Sequence, residues 1–198
     1  MICPRSLANR YAPVDIRFIS RNEFKLKEAA DILARADVRV IPLKISIDEL
    51  QTQDMELLVK DKTLRAFREV GRPLFVEQTG LYLQHLNGLP GGLTQSFWDT
   101  LKAEKFSSLF GSVHDPGVIA RTVIGYTDGK KFLSFRGEIA GTISSTPRGS
   151  REFQWDCVFV PEETNQTFAE MGEQKNEISM RRRALDEFAR YLVERGLP

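Results

Sequence analysis

The stretch VDIRFISRNEFKLKEAADILARA, residues 14–36, changes its repeat in the middle. Val14, Ile16 and Phe18 alternate with Asp15 and Arg17, the two-residue period of a half-buried strand. Further on, Leu26, Ala29, Ala30 and Leu33 recur at helical spacing. A strand, a short loop and a helix in that order are the opening of an α/β fold. Asn22 stands where the helix needs a cap, so free backbone N–H groups and the positive end of the helix dipole fall beside Ser20 and Lys25. Such a helix start suits an anion such as phosphate, and a capped surface helix with a solvated lysine has the same local sequence.

Working outward, VRVIPLKISI (38–47) reads as extended and leads, past Glu49, into a helix over 54–70 with Leu57, Leu64 and Phe67 on one face. FVEQTG (75–80) sets an acid and an amide, Glu77 and Gln78, at the end of an apolar strand and ahead of the glycine-rich loop LNGLPGG (86–92). A rigid strand end next to a loop is a common place to present catalytic groups to a cleft. A polar helical region follows over 96–110. Strands over 120–126 and 131–139 are joined by Thr-Asp-Gly-Lys, and Asp-Gly predicts an antiparallel hairpin. Another strand is expected at 155–160. The last helix starts at Ser179, buries Leu185, Phe188 and Leu192, and stops at Gly196 and Pro198. Crossover helices together with a hairpin predict a mixed α/β sheet flanked by helices. Neither GxGxxG nor GxxxxGK[ST] is present, which removes the usual dinucleotide and P-loop readings.

The 198 residues, 41% apolar and 28% charged, fit one globular domain over 1–198. Lys plus Arg number 28 against 27 for Asp plus Glu, so the net charge of +1 argues against a nucleic-acid polymer as partner. Cys3 and Cys157 form no CxxC pair, and His85 and His114 are too few and too scattered for a zinc site. Reduced thiols, an opening MICPRSLANRYAP without an apolar core, and no apolar run of membrane length predict a cytoplasmic chain with no membrane contact.

Four segments together carry a resemblance: SRNEFK (20–25), VEQTGLYLQHLNGLPG (76–91), PRGSREFQWDCVFVPE (147–162) and TFAEMGEQKNEISMRRRAL (167–185). In order and spacing they resemble the motifs of the inosine triphosphate pyrophosphatase family, whose members hydrolyse ITP, dITP and XTP to the monophosphate and pyrophosphate. The resemblance implies an elongated, twisted mixed sheet in two lobes around a central nucleotide cleft. It implies that Ser20, Asn22, Lys25 and Lys62 hold the triphosphate, and that Glu49 and Glu77 hold Mg²⁺, a hard cation that rests on a few carboxylates plus substrate phosphates. It also implies that Phe153, Trp155, Asp156, Lys175 and Arg181 bind the base. An aromatic face there stacks on a purine, and cationic donors read its 6-oxo group.

The chain departs from the family pattern at Gln78, where the family carries an aspartate tied to metal binding and to activating water. A neutral amide of similar size accepts no proton and is a poorer ligand for Mg²⁺. Met180 replaces a histidine, and Glu152 and Gln154 replace glycines around Phe153. Retained binding residues with a degenerate base position imply a nucleotide sensor or regulatory subunit. Its expected partners are a second copy or an effector subunit, as in the antiphage systems that use relatives of this family; the rival expectation is an active pyrophosphatase.

Overall fold

The computed structural model describes residues 14–195. Cys3, the opening segment and the Gly196 and Pro198 stop signals lie outside the described residues. Strand β1 (Val14–Ile19) leads into helix α1 (Glu23–Ala34), followed by β2 (Val38–Leu43) and α2 (Met55–Val70). Then come β3 (Leu74–Leu83), α3 (Thr94–Phe110), β4 (Val118–Thr127), β5 (Phe132–Ile143) and the short β6 (Phe159–Pro161). Two single-turn helices, α4 (Phe168–Met171) and α5 (Lys175–Ile178), precede α6 (Met180–Arg195). The six strands form one sheet in the order β2-β1-β3-β4-β5-β6. β1 runs parallel to β2 and β3, and the remaining neighbours are antiparallel.

The mixed α/β architecture is the one the change of period predicts, and the hairpin between β4 and β5 forms at the Asp-Gly turn. Asn22 caps α1, its Oδ1 accepting from the Lys25 N–H at 3.1 Å. Four expectations change. Glu77 and Gln78 sit in the middle of a ten-residue strand, because β4 pairs with β3 along its whole length and carries it past the polar residues. Residues 154–157 make a 3₁₀ turn, and only Phe159–Pro161 is strand, held by three residues of β5. The extended reading of 38–47 ends at Leu43, where the pairing with β1 ends. On α2 the buried residues are Met55, Leu58, Val59, Thr63 and Ala66, while Leu57 and Leu64 are 49% and 38% exposed. Thr63 and Ala66 are small enough to let the helix lie close on the sheet, and a search for large apolar residues passes over them.

The core is divided by the strand alternation of β3, whose successive side chains point to opposite faces. On one face Phe75 joins Ile16, Phe18, Leu185 and Phe188 under α1 and α6. Further along that face Leu81 and Leu83 join Phe106, Trp155 and Phe159 in a second cluster. Between the two stand Glu77 and Thr79, so a polar band separates two apolar lobes. On the other face Leu74, Val76 and Val123 pack against α2.

Candidate active site

The β1–β3 pairing ends at Phe18 and Phe75, yet β3 runs on to Leu83. A crevice at the carboxyl end of a parallel strand, where the sheet changes direction, is where open α/β folds bind ligands. Here it holds a cavity of about 280 Å³. Ser20 and Asn22 reach it from the turn after β1, Lys25 from α1 and Lys62 from α2. Glu49, Glu77 and Gln78 also line it, so the seven residues expected at the phosphates and metal share one space. Glu77 faces α1 and α6 and Gln78, one residue on, faces α2, so the two side chains enter from opposite faces of the sheet.

Glu77 is buried between Arg181 (3.1 Å), Lys25 (3.4 Å) and the Thr79 hydroxyl, which donates at 2.5 Å. Burial alone pushes its carboxyl up; the Arg181 guanidinium, the Lys25 ammonium and Thr79 outweigh it and hold the group at about 2. Lys25 is lowered by burial in spite of Glu77. An anion delivered next to it therefore meets an ammonium that lacks water and has one carboxylate partner. Lys62 donates to Glu49 at 2.6 Å and to Gln78 Oε1 at 3.5 Å.

A second cavity, about 420 Å³, lies on the α1 and α6 side. Phe153, Asp156 and Lys175, three of the five residues expected at the base, line it. Lys175 donates to Asp156 at 2.5 Å, its Nζ lies 4.3 Å from the centre of the Phe153 ring, and burial raises the Asp156 carboxyl despite that partner. Two expected base contacts are placed differently. Trp155 packs against Phe159 and Phe168 inside the second apolar cluster and lines neither cavity. Its indole is a core filler because the 3₁₀ turn points it inward. Arg181 is 2% exposed and lines neither cavity, being held between Glu77 and Glu28.

Glu28 is the site residue that sequence reasoning missed. On α1 it follows Lys25 by three residues, hence on the same helix face. It bonds both Arg181 and Lys175, the latter at 3.1 Å. Burial would raise its carboxyl, but those two cations hold it low. Its position among the buried Leu26, Ala29 and Ile32 was the available signal, since a buried acid needs a cation. Asp156, Lys175, Glu28, Arg181, Glu77 and Lys25 thus form a row of alternating charges that joins the two cavities.

Gln154 stands where a glycine was expected and keeps a glycine-like backbone, with φ at 40°. Its amide enters the smaller cavity and donates to Gln95 Oε1 at 2.5 Å. Met180 is buried in the second cluster. Cys157 is a buried free thiol. Among the described residues no helix is long and apolar enough to cross a membrane.

A family model described as "Ham1 family" matches residues 16–191. A dITP/XTP pyrophosphatase of Methanopyrus kandleri is 34% identical over 89% of this chain and 95% of its own length. An inosine triphosphate pyrophosphatase of Kluyveromyces lactis is 35% identical over 92% and 98%. A HAM1 protein structure from Coxiella burnetii superposes with a TM-score of 0.79 at 24% identity, over 91% of this chain and 99% of that one, and the Staphylococcus aureus Ham1 protein gives 0.75 with the same identity and coverage. With these matches over most of its length, the chain belongs to the Ham1 family.

Proposed function

We propose that the chain, as one domain, binds the triphosphate of a deaminated purine nucleoside and hydrolyses it to the monophosphate and pyrophosphate. The observation that carries this reading is the pair of cavities linked by an alternating row of charges, one lined by Lys25 at a helix start and by Lys62, the other by an aromatic ring, Asp156 and Lys175. The names of the relatives agree with it. In this reading the α1 N-terminus with Lys25 and Lys62 takes the phosphates. The ring of Phe153 and the charges of Lys175 and Asp156 meet the base. A water attacks the α-phosphorus, the bond to the bridging oxygen breaks, and pyrophosphate leaves.

Among the described residues no group of three Asp, Glu, His or Cys side chains gathers to hold a metal. Mg²⁺ asks for less, usually one or two carboxylates plus substrate phosphates, and Glu49 with the fully ionised Glu77 offers that set of hard oxygens. When bound, Mg²⁺ draws negative charge from the phosphate oxygens and helps orient water. Lys62 and Lys25 now hold those carboxylates and then turn to the phosphates.

A second reading rests on Gln78 alone. Its amide accepts from Lys62 and takes no proton from water, which favours binding without turnover and a subunit, paired with itself or with a partner, that reports the nucleotide. None of the relatives above is named as such a sensor, and their names lend an antiphage setting no support. Incubation with dITP, ITP, XTP and ATP separates the readings. Pyrophosphate release from the deaminated nucleotides near the median enzymatic rate of about 10 s⁻¹ supports the hydrolase. Tight binding without release supports the second reading, and neither binding nor release overturns both.

A further inference from the structure

Phe24 is the second residue of α1, between the cap Asn22 and Lys25. It is 47% exposed, and among the described residues it is the only exposed Phe, Tyr or Trp side chain. It contributes to the wall of the larger cavity, with its ring centre 5.4 Å from that of Phe153 and the two planes tilted by 58°. The other aromatic groups there are already engaged. Phe168 is 1% exposed inside the apolar cluster, and Phe153 has the Lys175 ammonium 4.3 Å and the Arg181 guanidinium 5.5 Å from its ring centre. Phe24 is the most exposed ring among them, and its neighbour in sequence, Lys25, lines the phosphate-side cavity.

We infer that Phe24 is a base-stacking residue, which takes one face of a purine in the larger cavity while the helix start beside it holds the phosphates. The inference rests on the nucleotide reading above and names a contact within it. A planar heteroaromatic ring is the chemistry that uses such a surface, since every base has a face to stack and stacking tolerates sequence and substituent. The spacing also fits one molecule. A nucleotide with its base against Phe24 and its phosphates against Asn22 and Lys25 follows a single turn of helix from one cavity into the other.

The test compares binding of α,β-methylene-dITP and of inorganic tripolyphosphate, both with Mg²⁺, by calorimetry on the full chain. Phe24→Ala is expected to weaken the nucleotide by roughly 5- to 100-fold and to leave tripolyphosphate unchanged, and Phe24→Trp to retain both. Equal nucleotide affinity in Phe24→Ala and the unsubstituted chain overturns the inference. So does an equal loss of both ligands, which marks a disturbed helix start. Failure of the unsubstituted chain to bind any deaminated nucleotide is a different result, and it removes the nucleotide reading together with this contact.

Discussion

Gln78 and Glu77 are adjacent on β3 and opposite in character. Gln78 shares its amide oxygen with Lys62 and lines the cavity as a neutral group, whereas Glu77 is held ionised by three donors. If the amide limits turnover, Gln78→Asp places a carboxylate, one methylene shorter, on the same backbone, where it can accept a proton from an attacking water. Pyrophosphate release from dITP is then expected to rise by about 10²-fold, the lower end of what a positioned base contributes. An unchanged rate, with dITP affinity intact, removes Gln78 as the limiting group. The prediction for Glu77 concerns stability. Its carboxyl is lowered from 4.5 to about 2 in the folded chain, so its contribution is present above the unfolded value and lost as the pH falls through the folded one. A shift of that size is worth about 3 kcal/mol at neutral pH, fading between about pH 5 and pH 2. Glu77→Gln leaves a buried guanidinium and ammonium short of a partner, and should cost roughly 3–5 kcal/mol at pH 7. Urea melts from pH 7 to pH 3 check the sign: the gap between the two proteins should narrow as the pH falls.

At the level of elements, α6 positions Arg181, and α6 is itself positioned by β5. Gly137 on β5 faces the start of α6, where an added Cβ would collide with the Met180 carbonyl oxygen and the Ala184 N–H. Both are backbone atoms, which a side-chain rotation does not relieve. Gly137→Ala should therefore push the helix outward, at a cost of about 1–3 kcal/mol by the usual range for overpacking. Because Arg181 bridges Glu77 and Glu28, the same substitution should also weaken dITP binding; a stable variant with full affinity would show that α6 tolerates the shift. This contact explains which elements were open to reading. α1, α6 and the β4–β5 hairpin follow from local period and turn residues, which tertiary packing does not override. The buried side of α2 is hard to see in the sequence because Thr63 and Ala66 carry no strong apolar signal, and the close approach of α6 to Gly137 depends on a residue 43 positions before Met180.

Across the whole molecule, the site is a junction between lobes, and that is the part a linear sequence conceals. Seven of the residues that line the smaller cavity come from the turn after β1, from α1, the loop before α2, α2 and β3, and the family resemblance names them. It does not name Glu28 or the row of charges, which depends on burial and on contacts of Arg181 over 104 and 153 positions of sequence. Trp155 shows the converse, a motif residue whose structural place is in the core. The last prediction uses the junction. A ligand that fills both cavities ties the lobes through α1, so it should raise the melting point more than one that fills the phosphate side alone. At a free concentration of 100 times Kd, a nucleotide that binds only the folded chain stabilises it by about 2.7 kcal/mol. With Mg²⁺ present and each ligand at the same concentration, dITP should give the largest shift and tripolyphosphate a smaller one. On the proposed reading ATP should fall below dITP, because an ammonium such as that of Lys175 can donate to an oxygen at position 6 but not to the amino group that adenine carries there. Equal shifts for ATP and dITP would show that the larger cavity takes any purine, and equal shifts for dITP and tripolyphosphate would show that it takes none.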